Sequence, residues 1–181
     1  MIQINPTKIP PLRQDDRIQG NINTAIVLME YGDYQCSQSG QAHLTIQKLQ
    51  QKLGDRFCFV FRHFPQIDIN PQSYKAAETA EAAGSQGKFW EMHFMLFNNQ
   101  QALEDSDLIG YADRLELDVP LVLKEISARM HRDRIQTDID SAAEHGVDRT
   151  PTFFIGIRQE GVQNLETLLM QILNAISKSA S

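Results

Sequence analysis

Cys36 closes the stretch MEYGDYQC, Met29 to Cys36, where an apolar, strand-like run gives way to a helical pattern. The attacking species in thiol–disulfide exchange is a thiolate. A cysteine at a helix N-terminus is favoured in that form by unpaired backbone N–H groups and by the positive end of the macrodipole. Ser39 stands three residues on, one turn away on the same helix face. Its hydroxyl can donate a hydrogen bond to a Cys36 thiolate, and it cannot form a disulfide. An adduct on Cys36 would then wait for an external thiol. The other cysteine, Cys58, lies mid-strand among Phe57, Phe59 and Phe61. Alternation puts it on the face opposite theirs, and free cysteines are usually buried, so a structural role is expected. A Cys36–Cys58 disulfide is not expected, because one cysteine sits at a strand's exit and the other within a neighbouring strand.

The elements that must hold Cys36 are legible on both sides of it. TAIVLMEYGDY is a continuous apolar run of strand length ended by turn residues, the pattern of a buried central strand. From Ser37 to Leu53 the apolar positions Ala42, Leu44, Ile46, Leu49 and Leu53 form a helical stripe, and Gly54 is a plausible C-cap. RFCFVFRHF is aromatic and β-branched, a second buried strand. Strand, helix and strand with short connections make a βαβ unit with parallel strands and a right-handed crossover. His63 ends the second strand, on the same sheet edge as the Cys36 turn, and is placed to approach the sulfur. The competing role for a strand-terminal histidine is packing or hydrogen bonding, which is commoner.

Residues 72–145 change character. SYKAAETAEAAGSQGKFWEMHFMLF is alanine-rich and helical, with a break at Gly84 to Gly87. SDLIGYADRLEL starts on a Ser/Asp cap, and PLVLKEISARMHRDRIQTDIDSAAEHG predicts one or two further helices ending at Gly146. Phe89, Trp90, Met92, Phe94 and Met95 are expected to form core between this block and the strands. In TPTFFIGIRQEG, residues 152–155 read as a strand, Gly156 as a bend or bulge, and 157–160 as a short partner strand. NLETLLMQILNAI is a closing amphipathic helix. The first 17 residues carry three prolines and read as an extended arm. The predicted organisation is an arm at 1–17, an α/β core of 18–71 and 146–178, and an all-helical insertion at 72–145.

Composition limits the partners. The chain has 181 residues, 41% of them hydrophobic and 22% charged, as in an ordinary globular protein. A net charge of −6 argues against nucleic acid or an anionic membrane surface, which both call for a basic face. Arg129, Arg132 and Arg134 are the nearest thing to a basic cluster and read as a solvated helix face. Two cysteines and five dispersed histidines offer neither a disulfide framework nor a metal-ligand spacing. No run has signal-peptide character or transmembrane length, so a cytoplasmic protein is expected.

The segments EYGDYQC, FVFRHFP, AAETAEAAGSQGKFWEMH, YADRLELD and GVDRTPTFFIG, in that order, resemble the DsbA-like branch of the thioredoxin superfamily. That resemblance implies a thioredoxin fold with a helical insertion and thiol–disulfide oxidoreductase activity. The hallmark Cys-x-x-Cys reads here Cys36-Ser37-Gln38-Ser39, with the nucleophile kept and the resolving cysteine replaced. Thr150-Pro151 matches the position of the cis-proline that faces the cysteine in these proteins. On this likeness Cys36 and Ser39 are the candidate catalytic residues. Thr150, Pro151, Gln38 and His63 are the candidate substrate-binding ones. The backbone at Thr150 is expected to pair with an extended substrate as a short β-bridge.

Three functions fit the sequence. The first is a thiol–disulfide oxidoreductase working through one cysteine, with no tightly bound cofactor and with a thiol- or disulfide-bearing protein or glutathione as partner. The second is a non-catalytic binding or chaperone protein that uses the groove around Thr150-Pro151. The third is a glutathione-dependent transferase or isomerase on the same fold. Ser39 argues against a dithiol oxidase with its own active-site disulfide.

Overall fold

The computed structural model describes residues 3–5, 9–24, 26–54, 57–157, 170, 172 and 174. In chain order the elements are β1 (Gln3–Asn5), β2 (Arg17–Gln19), β3 (Ile26–Gly32), α1 (Ser37–Leu53), β4 (Phe57–His63), α2 (Ser73–Ser85), α3 (Phe89–Asn98), α4 (Asp105–Arg114), α5 (Val119–Ser127), α6 (Arg132–Glu144) and β5 (Thr152–Ile157). The strands form one sheet in the order β1-β5-β3-β4-β2. The two central strands, β3 and β4, run parallel in register from Ile26↔Phe57 to Gly32↔His63, as a right-handed βαβ unit requires. β5 returns antiparallel along β3, with Met29 opposite Phe154. This is the thioredoxin fold with a block of helices placed between β4 and β5.

Each central strand is buried along its whole length, so its two faces belong to two cores. One face carries Ile26, Leu28, Phe57, Phe59 and Phe61, and meets Ala42, Ile46 and Leu49 of α1 together with Met92 and Leu96 of α3. The other carries Val27, Met29, Tyr31, Cys58 and Val60, and meets Ala142 of α6. The period-two alternation that separated Cys58 from its phenylalanine neighbours therefore holds. This second face also admits charge. Arg62 is fully buried there and donates through Nε and Nη2 to the two oxygens of Asp16, at 2.8 and 2.9 Å. Tyr31 Oη, Ser141 Oγ and the Pro11 carbonyl accept its remaining N–H groups. A fork that fully satisfied is what a buried guanidinium needs.

Two expectations change. The extended arm is more than an arm: Gln3–Asn5 adds a parallel edge strand to β5, and Arg17–Gln19 caps the opposite edge, antiparallel to β4. Gly156 is no bend, because β5 continues through it to Ile157. The glycine serves close packing instead, since a Cβ there would lie 2.9 Å from Cγ2 of Ile9. The partner strand expected beyond Ile157 lies outside the described residues. So does most of the closing helix, of which Met170, Ile172 and Asn174 are helical and Ile172 is buried in the first core.

Candidate active site

Cys36 is the N-cap of α1, with φ −75° and ψ 120°. Its N–H donates to the Asp33 carbonyl at 3.1 Å and its carbonyl accepts from Gly40 N–H at 3.1 Å. Extended geometry followed at once by helix turns the side chain out beside the unpaired N–H groups of the first turn. Its thiol is partly exposed and donates to the Thr150 carbonyl at 3.4 Å. The Thr150–Pro151 peptide bond is cis, and proline offers no N–H to compete for a partner there. Thr150 Oγ1 donates to Gln66 Oε1 at 3.1 Å. Thus β5 delivers Thr150-Pro151 to the sulfur, and the loop after β4 braces it.

Two polar residues hold the cysteine loop. Asp33 is buried and accepts from Gln35 N–H at 2.8 Å, Gln66 N–H at 2.9 Å and Asn70 Nδ2 at 2.8 Å. Burial pushes its carboxyl upward, and these hydrogen bonds pull back against that rise. From the opposite side, Gln100 Nε2, just past α3, donates to the carbonyls of Tyr34 and Cys36, both at 2.8 Å. Gly40 makes room for that amide, since a Cβ would fall 2.1 Å from Gln100 Oε1.

The predicted site residues divide. Cys36, Thr150 and Pro151 come together. Gln38 is half-buried in the first turn of α1. Ser39 is fully buried, and its Oγ accepts from Asp33 N–H at 3.4 Å, so the hydroxyl supports the loop. His63 is a correction. It is 1% exposed, its Nε2 meets Glu81 Oε1 at 2.9 Å, and its N–H donates to Asp138. Its ring packs against Tyr34, Phe61 and Phe89. α2 supplies a carboxylate that draws the imidazole inward, and a group so enclosed cannot touch a substrate. Arg17 also pairs with Glu81. Burial drives the Glu81 carboxyl up, but the bonds from His63 and Arg17 outweigh it and hold it far below the usual range.

Glu30 went unnoticed in the sequence. It lies on β3 opposite Phe61 and Phe153, with Oε1 buried and without a hydrogen-bond partner among the described residues. Burial alone pushes its carboxyl up to about 8. The available signal was a lone acid within the apolar run AIVLMEYG, six residues before the cysteine. Behind the loop, Tyr34 Oη bonds His93 Nδ1 at 3.1 Å, and His43 stacks on Phe97. Burial lowers His43 to about 4 and takes His93 well below its ordinary value, so both are neutral wedges in the core. Among the described residues no cluster of His, Cys, Asp or Glu could hold a metal ion.

The sequence profile of the thioredoxin family matches residues 13–174. The chain belongs to that family. Solved structures with the same fold include a thioredoxin-like oxidoreductase from Silicibacter pomeroyi DSS-3, with a TM-score of 0.73 at 21% identity over 92% of this chain and 94% of that one. Wolbachia pipientis alpha-DsbA1 superposes with a TM-score of 0.72 at 21% identity over 94% of each chain. For BdbD of Bacillus subtilis the values are 0.68 and 17%, over 90% of this chain and 93% of BdbD. Higher identity comes from unexpected proteins. The Na(+)/H(+) antiporter NhaA 1 of Salinispora arenicola is 36% identical over 178 residues, 98% of this chain and 26% of the antiporter. The antiporter NhaA of Herminiimonas arsenicoxydans is 35% identical over 161 residues, 88% of this chain and 25% of that protein. The thioredoxin-family chain thus spans about a quarter of the length of these curated relatives. Among the described residues no helix is long and apolar enough to cross a membrane.

Proposed function

We propose that the protein is a thiol–disulfide exchange protein working through Cys36 alone. One observation carries this reading: the partly exposed thiol at the α1 N-terminus lies 3.4 Å from the Thr150 carbonyl, beside Pro151. Cys58, the other cysteine of the chain, is fully buried. In the reaction the Cys36 thiolate attacks one sulfur of a disulfide in a partner protein or in oxidised glutathione. A Cys36–sulfur bond forms, the old S–S bond breaks, and the second sulfur leaves as a thiolate that takes up a proton. Serine at position 39 has no sulfur with which to attack that mixed disulfide. An external thiol, glutathione by chemical class, releases Cys36 and itself becomes half of the new disulfide. The Thr150 carbonyl, together with the backbone on either side of it, offers an extended substrate a strand-like docking edge.

The test is incubation with oxidised glutathione followed by intact mass. One adduct is expected, mapped to Cys36 and absent in Cys36→Ser. Ser39→Cys should gain oxidation of a reduced substrate protein. No adduct on the native protein would leave a binding protein that uses the Thr150-Pro151 groove without chemistry.

A second reading concerns the partner. The antiporter relatives, at 36% and 35% identity, favour exchange with a membrane transporter or with proteins beside it. Because position 39 is serine, mixed disulfides formed in the cell should persist when thiols are blocked before lysis. Antiporter peptides linked to Cys36 would support this reading, and their absence among identified adducts would reject it.

A further inference from the structure

Arg129 and Arg132 read in the sequence as part of a solvated helix face, and the structure separates them from Arg134. Arg134 pairs with Asp15 and Asp138. Arg129 and Arg132 form no ion pair with the described residues and remain exposed. Both line a cleft of about 430 Å³ between the α5–α6 turn, α2 and the loop after β4, with Ile67, Pro71, Tyr74, Glu78 and Gln136. Glu78 is 7% exposed, and its Oε1 is shut off from solvent with no hydrogen-bond partner among the described residues. A buried acceptor without a donor costs stability, and Glu78 is one of the residues that line this cleft. Two guanidinium groups outside any ion pair with the described residues, of which Arg129 also acts on Glu78 through space, a buried acceptor and an apolar side at Ile67 and Pro71 make a three-part recognition pattern.

The cleft adjoins the cysteine site through a single loop. Gln66, whose amide oxygen accepts from Thr150 Oγ1, precedes Ile67. Gln72, which follows Pro71, exchanges side-chain and backbone hydrogen bonds with Gln35, the residue before Cys36. An extended chain advances roughly 3.3 Å per residue, so a substrate held at Thr150 reaches past Ile67 within a few residues.

We propose that this cleft is a specificity subsite of the Cys36 site, taking an acidic residue of an extended polypeptide a few positions from its reacting cysteine. The acidic side chain pairs with Arg129 and Arg132, and a backbone N–H of the same segment donates to Glu78 Oε1. Arginine forks suit carboxylates, and the exposed isoleucines Ile67 and Ile69 favour an apolar neighbour in the bound segment. The carboxylates of Glu78 and of Asp133, which also acts on Tyr74, oppose the anion. The acidic side chain therefore belongs at the arginine rim and the N–H at the wall. The proposal rests on Cys36 being an exchanging thiol.

The experiment compares disulfide-activated cysteine peptides that carry Glu, Gln or Lys at each of several positions near the cysteine. The readout is the rate of mixed-disulfide formation with Cys36 at low salt. At the preferred position Glu should react about fivefold faster than Lys, the scale of an ion pair near the surface. The preference should vanish in the Arg129→Gln/Arg132→Gln double variant, while alkylation of Cys36 by neutral iodoacetamide stays unchanged. Glu78→Ala should slow every peptide alike, and Glu78→Gln, which keeps the acceptor and loses the like charge, should hold or widen the preference for Glu. Peptides that react without charge preference, or a preference that survives the double variant, overturn the subsite and leave the exchange reading standing. Failure of every peptide to react, with iodoacetamide still labelling Cys36, overturns both.

Discussion

Glu30 and Glu81 flank the same aromatic core at nearly equal depth, at 1% and 0% exposed, and they ionise in opposite senses. Glu30 has a carboxyl oxygen with no partner among the described residues and is pushed up to about 8 by burial. Glu81 is held well below the ordinary range because Arg17 and His63 both reach it. Depth costs both of them hydration, and the difference is made by whether a neighbouring element brings a donor. The apolar strands β3 and β5 bring Glu30 none, whereas α2, β2 and β4 converge on Glu81.

The largest test of this contrast is Glu30→Gln followed by urea unfolding across pH. The folded protein keeps the Glu30 proton up to about 8, while the unfolded chain gives it up near 4.5. Stability from this group is therefore full below about 4.5 and is lost as pH rises toward 8. At 1.36 kcal/mol per pH unit, the variant should gain on wild type by roughly 5 kcal/mol across that window. Taking the difference cancels His43 and His93, whose neutral burial weakens the protein as pH falls below their ordinary range. A flat difference would mean that Glu30 finds a donor in solution.

Glu81→Gln comes next. It puts an amide where Arg17 and His63 require an anion, and should cost about 3 kcal/mol at pH 7. Its sign is the reverse of Glu30's: the stabilisation is present above the unfolded carboxylate range and is lost as pH falls through the depressed folded value. The loss should therefore shrink in acid. A loss that grows in acid would break the comparison.

Smaller effects extend the same rule to groups that are less enclosed. Gln100→Ala removes two donors from the carbonyls of Tyr34 and Cys36 and should cost about 1–2 kcal/mol. It should also change the rate at which iodoacetamide labels Cys36, whereas a purely structural amide would leave that rate alone. Lys75 pairs with Asp105 across two exposed side chains, so Lys75→Ala should move stability by less than about 0.5 kcal/mol.

Legibility in the sequence followed the same division. β3, α1 and β4 were readable because continuous apolar runs and a 3.6-residue stripe leave little choice of element, and Gly54 ends α1 with φ 53° where a C-cap was expected. The Cys36 turn followed from those elements, and its meeting with Thr150-Pro151 followed from family resemblance. Short edge strands were not readable: Gln3–Asn5 has three residues and its stability comes from β5, far along the chain. His63 was misplaced because its position at a strand end is local information, while its partner Glu81 arrives from α2. Gln100 carried no signal, since a surface-type amide becomes specific only when a glycine opposite lets it in.

That amide has a mechanical consequence. Gln100 ties the end of α3 to the peptide unit that carries the Cys36 sulfur, much as a tie rod joins two frames. A load that shifts the helical block relative to the sheet, such as a partner leaning on α3, is delivered to Cys36 as a displacement. A partner docked on α3 is therefore expected to change the rate at which Cys36 is labelled without touching the sulfur.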